Sequence, residues 1–79
     1  MSHLEYNVKA KFVYTKLLPL VREATRSAVE SVNYEVLEDD ETVVLHCTDG
    51  AQLSVNVTGD SLLELAGDVL EHLEEALHA

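Results

Sequence analysis

The chain has no tryptophan, no isoleucine, one phenylalanine, one proline, one methionine and one cysteine in 79 residues. Any core must therefore be built from leucine and valine. The lone Cys47 cannot form an internal disulfide, so a reducing, cytoplasmic setting is the default expectation. No charged segment followed by an apolar run opens the chain, and no apolar stretch approaches the length needed to span a bilayer. The most telling absence is of positive charge. No Lys or Arg occurs after Arg26.

What is present is acidic and unevenly placed. The formal net charge is −10. Lys9, Lys11, Lys16, Arg22 and Arg26, set against Glu5 and Glu23, leave residues 1–29 at +3, while thirteen carboxylates put residues 30–79 at −13. Phosphate contacts require Lys and Arg, so direct nucleic-acid binding by the C-terminal part is disfavoured, as is an anionic membrane. The partner such a field attracts is a basic protein surface.

An apolar fraction of 47% predicts one folded domain spanning residues 1–79. Leu4 to Tyr14 alternates apolar and polar side chains, which is a strand pattern. The same region also places Ala10, Val13, Tyr14, Leu17, Leu18 and Val21 on one helical face. On the strand reading, which we prefer, Thr15 caps a shorter helix with Pro19 in its first turn. On the helical reading one helix runs from about residue 9 to 32, kinked at Pro19. Either way a helix covers Leu20 to Val32, with Leu20, Val21, Ala24, Ala28 and Val32 inward and Asn33 as its stop.

Three short strands follow, about Asn33–Glu38, Thr42–Cys47 and Ala51–Thr58. A two-residue turn at Asp39-Asp40 would pair Val36 with Val43 and Tyr34 with Leu45. A three-residue loop, Thr48-Asp49-Gly50, would pair Leu45 with Leu53 and Val43 with Val55, with Gly50 left-handed. Tyr34, Val36, Val43, Leu45, Cys47, Leu53, Val55 and Val57 then share one face. After a turn at Thr58-Gly59-Asp60, Ser61 and Glu64 have capping-box spacing. The last helix is predicted to turn Leu62, Leu63, Ala66, Val69, Leu70, Leu73, Ala76 and Leu77 inward. The expected fold is α+β: two helices on one face of a three-stranded antiparallel meander, four-stranded if residues 4–14 join it, in the order (β)αβββα.

On the wet face of the last helix Glu64, Asp68, Glu71 and Glu75 form one anionic stripe. Like charges at this spacing cost roughly 0.2–0.5 kcal/mol per pair, so folding alone would favour a Lys among them. A surface shaped for a basic groove accounts for the stripe; an acidic solubilising face, as in salt-adapted proteins, accounts for it equally. Carboxylates along the stripe sit about 5 Å apart, against one charge per ~1.7 Å of duplex DNA axis, so a DNA mimic would also need Glu74 and the Glu38–Glu41 turn. Those four consecutive carboxylates lack the alternate spacing and glycine of a calcium loop, so no metal and no cofactor is expected there. His46 and Cys47 are strand neighbours facing opposite ways, and His72 and His78 miss the i,i+4 spacing of a helical metal pair. No nucleophile elbow or phosphate-cradling glycine loop occurs, and no enzymatic activity is expected.

The order helix, three-strand meander, helix resembles that of double-stranded RNA-binding domains in topology, without their basic helix start and loop. In size, acidity and element order the chain also resembles small phage-encoded inhibitors of CRISPR nucleases, with no motif in common. The expectation is a non-enzymatic binding module whose Glu64, Asp68, Glu71 and Glu75, then Asp39 and Asp40, dock on a basic protein surface, including one that normally holds nucleic acid. Reversal of the four helical carboxylates should abolish binding and leave the fold intact. The alternative is a small structural subunit or homo-oligomer associating through the sheet face, where Leu37 and Val44 point outward.

Overall fold

A computed structural model describes residues 3–77, with side chains described from residue 7. Its element order is α1 (His3–Phe12), a π-helical segment (Val13–Leu17), α2 (Leu18–Ala24), β1 (Val29–Leu37), β2 (Asp40–Cys47), β3 (Gln52–Asn56) and α3 (Leu62–Leu77). The sheet is antiparallel in the order β1-β2-β3. The π segment and α2 lie over β1, and α3 lies over β3. One core joins the helices to a single sheet face: Val13, Leu17 and Val21 meet Val32, Tyr34, Val43, Leu45, Val55, Leu65, Val69 and Leu73, among others. The α+β class with helices before and after a three-stranded meander is as expected.

The N-terminal region is helical, which corrects the strand assigned to residues 4–14 and removes the fourth strand. Val13, Leu17 and Val21 step by four and are fully buried, so the 3.6-residue period wins over the alternation. Thr15 caps nothing; it lies inside the helix, its hydroxyl donating to Lys11 O at 2.6 Å. Pro19 has no amide to give to the preceding turn, and its ring would crowd that carbonyl. The helix widens into the π segment just before it, and α2 begins with the proline in its first turn.

The helix also stops eight residues sooner than Val32. Arg26 N bonds Glu23 O at 3.2 Å and Ser27 N bonds Arg22 O at 2.7 Å, the paired bonds of a Schellman ending with Arg26 left-handed at φ 54°. Val29 to Val32 is strand, and Asn33 lies within β1 rather than ending a helix. Leu20 and Ala24, expected inward, are exposed.

The second hairpin has the expected register: Leu45 opposes Leu53, Val43 opposes Val55, and Gly50 adopts φ +90°. The first hairpin does not. Tyr34 opposes Val43 and Val36 opposes Glu41, so the two-residue turn is Glu38-Asp39 rather than Asp39-Asp40. The slip is two residues, which preserves every side chain's face and so leaves the apolar pattern unchanged. What it changes is the place of Glu41, which moves from beside the turn to a position in the ladder opposite Val36, where it is 4% exposed. Its carboxylate accepts from Lys9 Nζ at 2.7 Å, from Gly59 N at 3.0 Å and from the Tyr34 hydroxyl. Glu41 N donates to Thr58 Oγ1 at 2.9 Å, and Val57 N donates to Glu41 O at 2.9 Å.

In α3, Leu65 is fully buried, whereas Leu63, expected inward, is 84% exposed. Leu65, Val69 and Leu73 define the buried line, and the apolar arc continues past it to Leu70 and Leu77 on a flank that is only partly covered.

Removing one member of a buried ion pair costs about 3–5 kcal/mol, because the remaining charge stays in place without its partner. Glu41→Gln should lower the unfolding free energy by that amount in urea denaturation, a large share of the ~4–12 kcal/mol expected at this length. Glu35→Gln on the exposed face should change it by less than about 0.5 kcal/mol. Equal, small effects would mean that Glu41 does not hold the hairpin.

Candidate acidic interface

The capping box forms as its spacing predicts. Ser61 N donates to Glu64 Oε1 at 3.0 Å, and Glu64 N donates to Ser61 Oγ at 3.2 Å. These bonds hold the Glu64 carboxyl below its ordinary value. Core-facing Leu65, Val69 and Leu73 then fix the rotation of α3. On one flank Leu70, Leu73, Glu74 and Leu77 face Ala24 and Thr25 across a cleft of about 260 Å³. At about 100° per residue, Asp68 and Glu75 lie on the opposite flank, towards the outer edge of β3, and Glu64 and Glu71 point away from the sheet. Glu64, Glu71 and Glu75 are exposed and Asp68 is half-buried.

Asp39 and Asp40 are exposed at the β1–β2 tip. The bonds from Glu41 to Gly59 and Thr58 set this tip at the end of the sheet where α3 begins. The structure thus brings Asp39 and Asp40 to the Glu64 end of the stripe, while Glu75 lies about 16 Å further along the helix. Glu41 is withdrawn into the interior, and Glu74 faces the cleft rather than the stripe. The denser array needed to imitate a nucleic acid therefore loses two of its members.

Among the described residues the one ion pair is Lys9–Glu41. Lys11, Lys16, Arg22 and Arg26 are exposed on the first helix and its end, and pair with none of the stripe carboxylates. His46 shares a bond of 3.0 Å with Asn33 Nδ2 on the open sheet face, and Cys47 packs against the core on the other face. His72 Nδ1 lies 2.8 Å from Asp68 O. His78 lies outside the described residues. Among the described residues no three His, Cys, Asp or Glu side chains are grouped to hold a metal.

Sequence reasoning placed Asp60 in the turn before α3 and missed its contact with Asp68. Asp60 sits just before the capping Ser61 and half-buried, beside Asp68. Two ionised carboxylates have no proton to share, so Asp60 Oδ2 is buried without a donor. Protonation of one of the pair supplies the missing hydrogen bond. That bond to Asp68, burial and the negative charges of Asp68 and Glu64 raise Asp60 to about 6, against a smaller opposing effect from Lys9. Nothing in the spacing of positions 60 and 68 marks the pair; it arises because the residue before the cap turns back along the helix. Two of the four stripe residues consequently have ties to the fold as well: Glu64 caps α3 and Asp68 lies against Asp60. Reversing all four would therefore alter the cap and the Asp60–Asp68 contact along with the stripe.

Comparison of the chain with protein families, curated proteins and solved structures finds no match to any of them.

Glu41 and Asp60 are shifted in opposite directions. Burial raises Glu41, but its bonds from Gly59, Lys9 and Tyr34 and the charge of Lys9 outweigh burial and hold it below its ordinary value. Its contribution is therefore present above pH ~4.5 and lost as pH falls through the folded value. Asp60 is raised, so the folded state takes up its proton first, and stability rises as pH falls through about 6 towards ~4. The melting temperature should therefore pass through a maximum near pH ~5. Asp60→Asn should raise it at pH ~7.5 and match the parent protein near pH ~4. A profile unchanged by the substitution would show that Asp60 carries no strain.

Proposed function

We propose that this chain is a non-enzymatic acidic binding module that docks the outer flank of α3, extended by Asp39 and Asp40, on a basic surface of a partner protein and so inhibits or regulates it. The observation that carries the proposal is a set of carboxylates on one flank of a rigid helix that the chain's own cations do not neutralise. Repulsion among them is a standing cost to the isolated fold that a basic partner would relieve. A partner whose basic surface normally holds nucleic acid fits the same chemistry. An inhibitor needs only to occupy that surface, so one stripe suffices without reproducing the charge density of a duplex.

Association through the open sheet face has less to support it. Val13 is buried in the core and Phe12, half-buried, packs against it. The open face is polar, with Leu37 exposed at one corner and Val44 half-buried.

Glu71→Lys/Glu75→Lys tests the proposal without touching the cap or the Asp60–Asp68 pair. Capture from cells of the source organism at low salt, read by mass spectrometry, should recover basic proteins with the parent chain. The double variant should lose them by about tenfold or more, as should high salt. Circular dichroism spectra should coincide. An identical set of partners from parent and variant would contradict the proposal.

A further inference from the structure

The fold treats the two edges of its sheet differently. On β1, the Tyr34 amide points out of the ladder and donates to the Tyr14 hydroxyl at 2.9 Å. The first helix thereby occupies the central donor of that edge. On β3, the bonds Cys47 N to Ala51 O, 2.8 Å, and Val57 N to Glu41 O, 2.9 Å, fix which residues face β2. Antiparallel pairing alternates, so Ala51, Leu53, Val55 and Val57 bond inward, and Gln52, Ser54 and Asn56 turn their N–H and C=O groups outward. Among the described residues, no group of the chain bonds the outward amides of these three.

β3 also lacks the devices that normally close an edge. It carries no Lys, no Glu, no Pro and no bulge, and Ala51 to Gly59 is free of charge. Beside this neutral strand stands the charged flank of α3, with Asp68 and Glu75 towards the same edge.

We propose that the outer edge of β3 accepts an extended basic segment of a partner protein as a fourth strand, its alternate Lys or Arg side chains meeting Asp68 and Glu75. This rests on the acidic-docking proposal and specifies its partner. Main-chain bonds to Gln52, Ser54 and Asn56 supply affinity, and the helix selects for positive side chains. A second copy paired through the same edge would set two acidic flanks against each other, so charge favours the basic peptide.

The test uses a blocked octapeptide of alternating Lys and Thr, and the same peptide N-methylated throughout, which keeps its charge and loses every backbone donor. Each is titrated into the whole chain at low salt by NMR, with amide exchange measured in parallel. The unmodified peptide should bind and slow exchange at the Gln52, Ser54 and Asn56 amides by about tenfold, and the methylated one should bind about tenfold more weakly. Equal binding of both, with no slowing at the three amides, would overturn the edge strand and leave charge docking standing. Binding of neither would overturn both. Slow exchange at these amides in the free chain, deepening with protein concentration, would show a second copy on the edge and overturn the proposal.

Discussion

A buried carboxylate holds this small fold in register. Glu41 accepts bonds from Lys9 of α1, Tyr34 of β1 and Gly59 of the turn into α3, while sitting near the start of β2. Taking a carboxylate and an ammonium out of water is costly, and the cost is offset only when the remaining lone pairs are also filled. Here the third donor is a backbone amide of Gly59, which stands at φ +76°, a conformation glycine adopts without strain. The β1–β2 turn, the first helix and the entry to the last helix are thus tied at one point. Leucine and valine alone could pack these elements in more than one register; a charged group with three partners fits one.

That dependence explains which parts of the fold were legible in the sequence. The second hairpin was readable because a two-residue Asp49-Gly50 loop would have set His46 against Leu53, so pattern alone chose the register. The first hairpin was not, because a two-residue slip conserves the apolar face, and the group that decides it looks like one more acid in a run of four. The helical N-terminus competed with an equally regular alternation, and only the burial of Val13, Leu17 and Val21 settles between them. The early stop at Ala24 was hidden because its left-handed residues are Arg26 and Ser27, where a glycine would have signalled the turn. In α3 the apolar arc is wider than the surface that covers it, so Leu63 lies on its uncovered side.

The stripe itself was legible as spacing, and the rotation of α3 places most of it on the flank away from α2. What sequence could not supply was the double duty of Glu64 and Asp68. The Glu64 carboxyl takes part in the cap and that of Asp68 lies against Asp60, so the end of the stripe nearest the β1–β2 tip is bound up with the fold, while Glu71 and Glu75 are free of such ties. The cations of the first helix, by contrast, are spent elsewhere: Lys9 inside, the others on an exposed surface. The uncompensated charge that supports the docking proposal and the internal ion pair that fixes the hairpin are therefore two outcomes of the same shortage of positive residues.

Glu41 lies inside, and the register of the first hairpin follows from it. In a pair whose amides point away from the ladder, opposing Hα atoms come close together, and Tyr34 is in such a pair because its amide is bonded to Tyr14. Cross-strand Hα–Hα nuclear Overhauser effects in the isolated chain read the register directly. Strong effects between Tyr34 and Val43 and between Val32 and Leu45 are expected. Effects between Tyr34 and Leu45 and between Val36 and Val43 instead would place Glu41 next to a turn at Asp39-Asp40, outside the pairing described, and contradict the account.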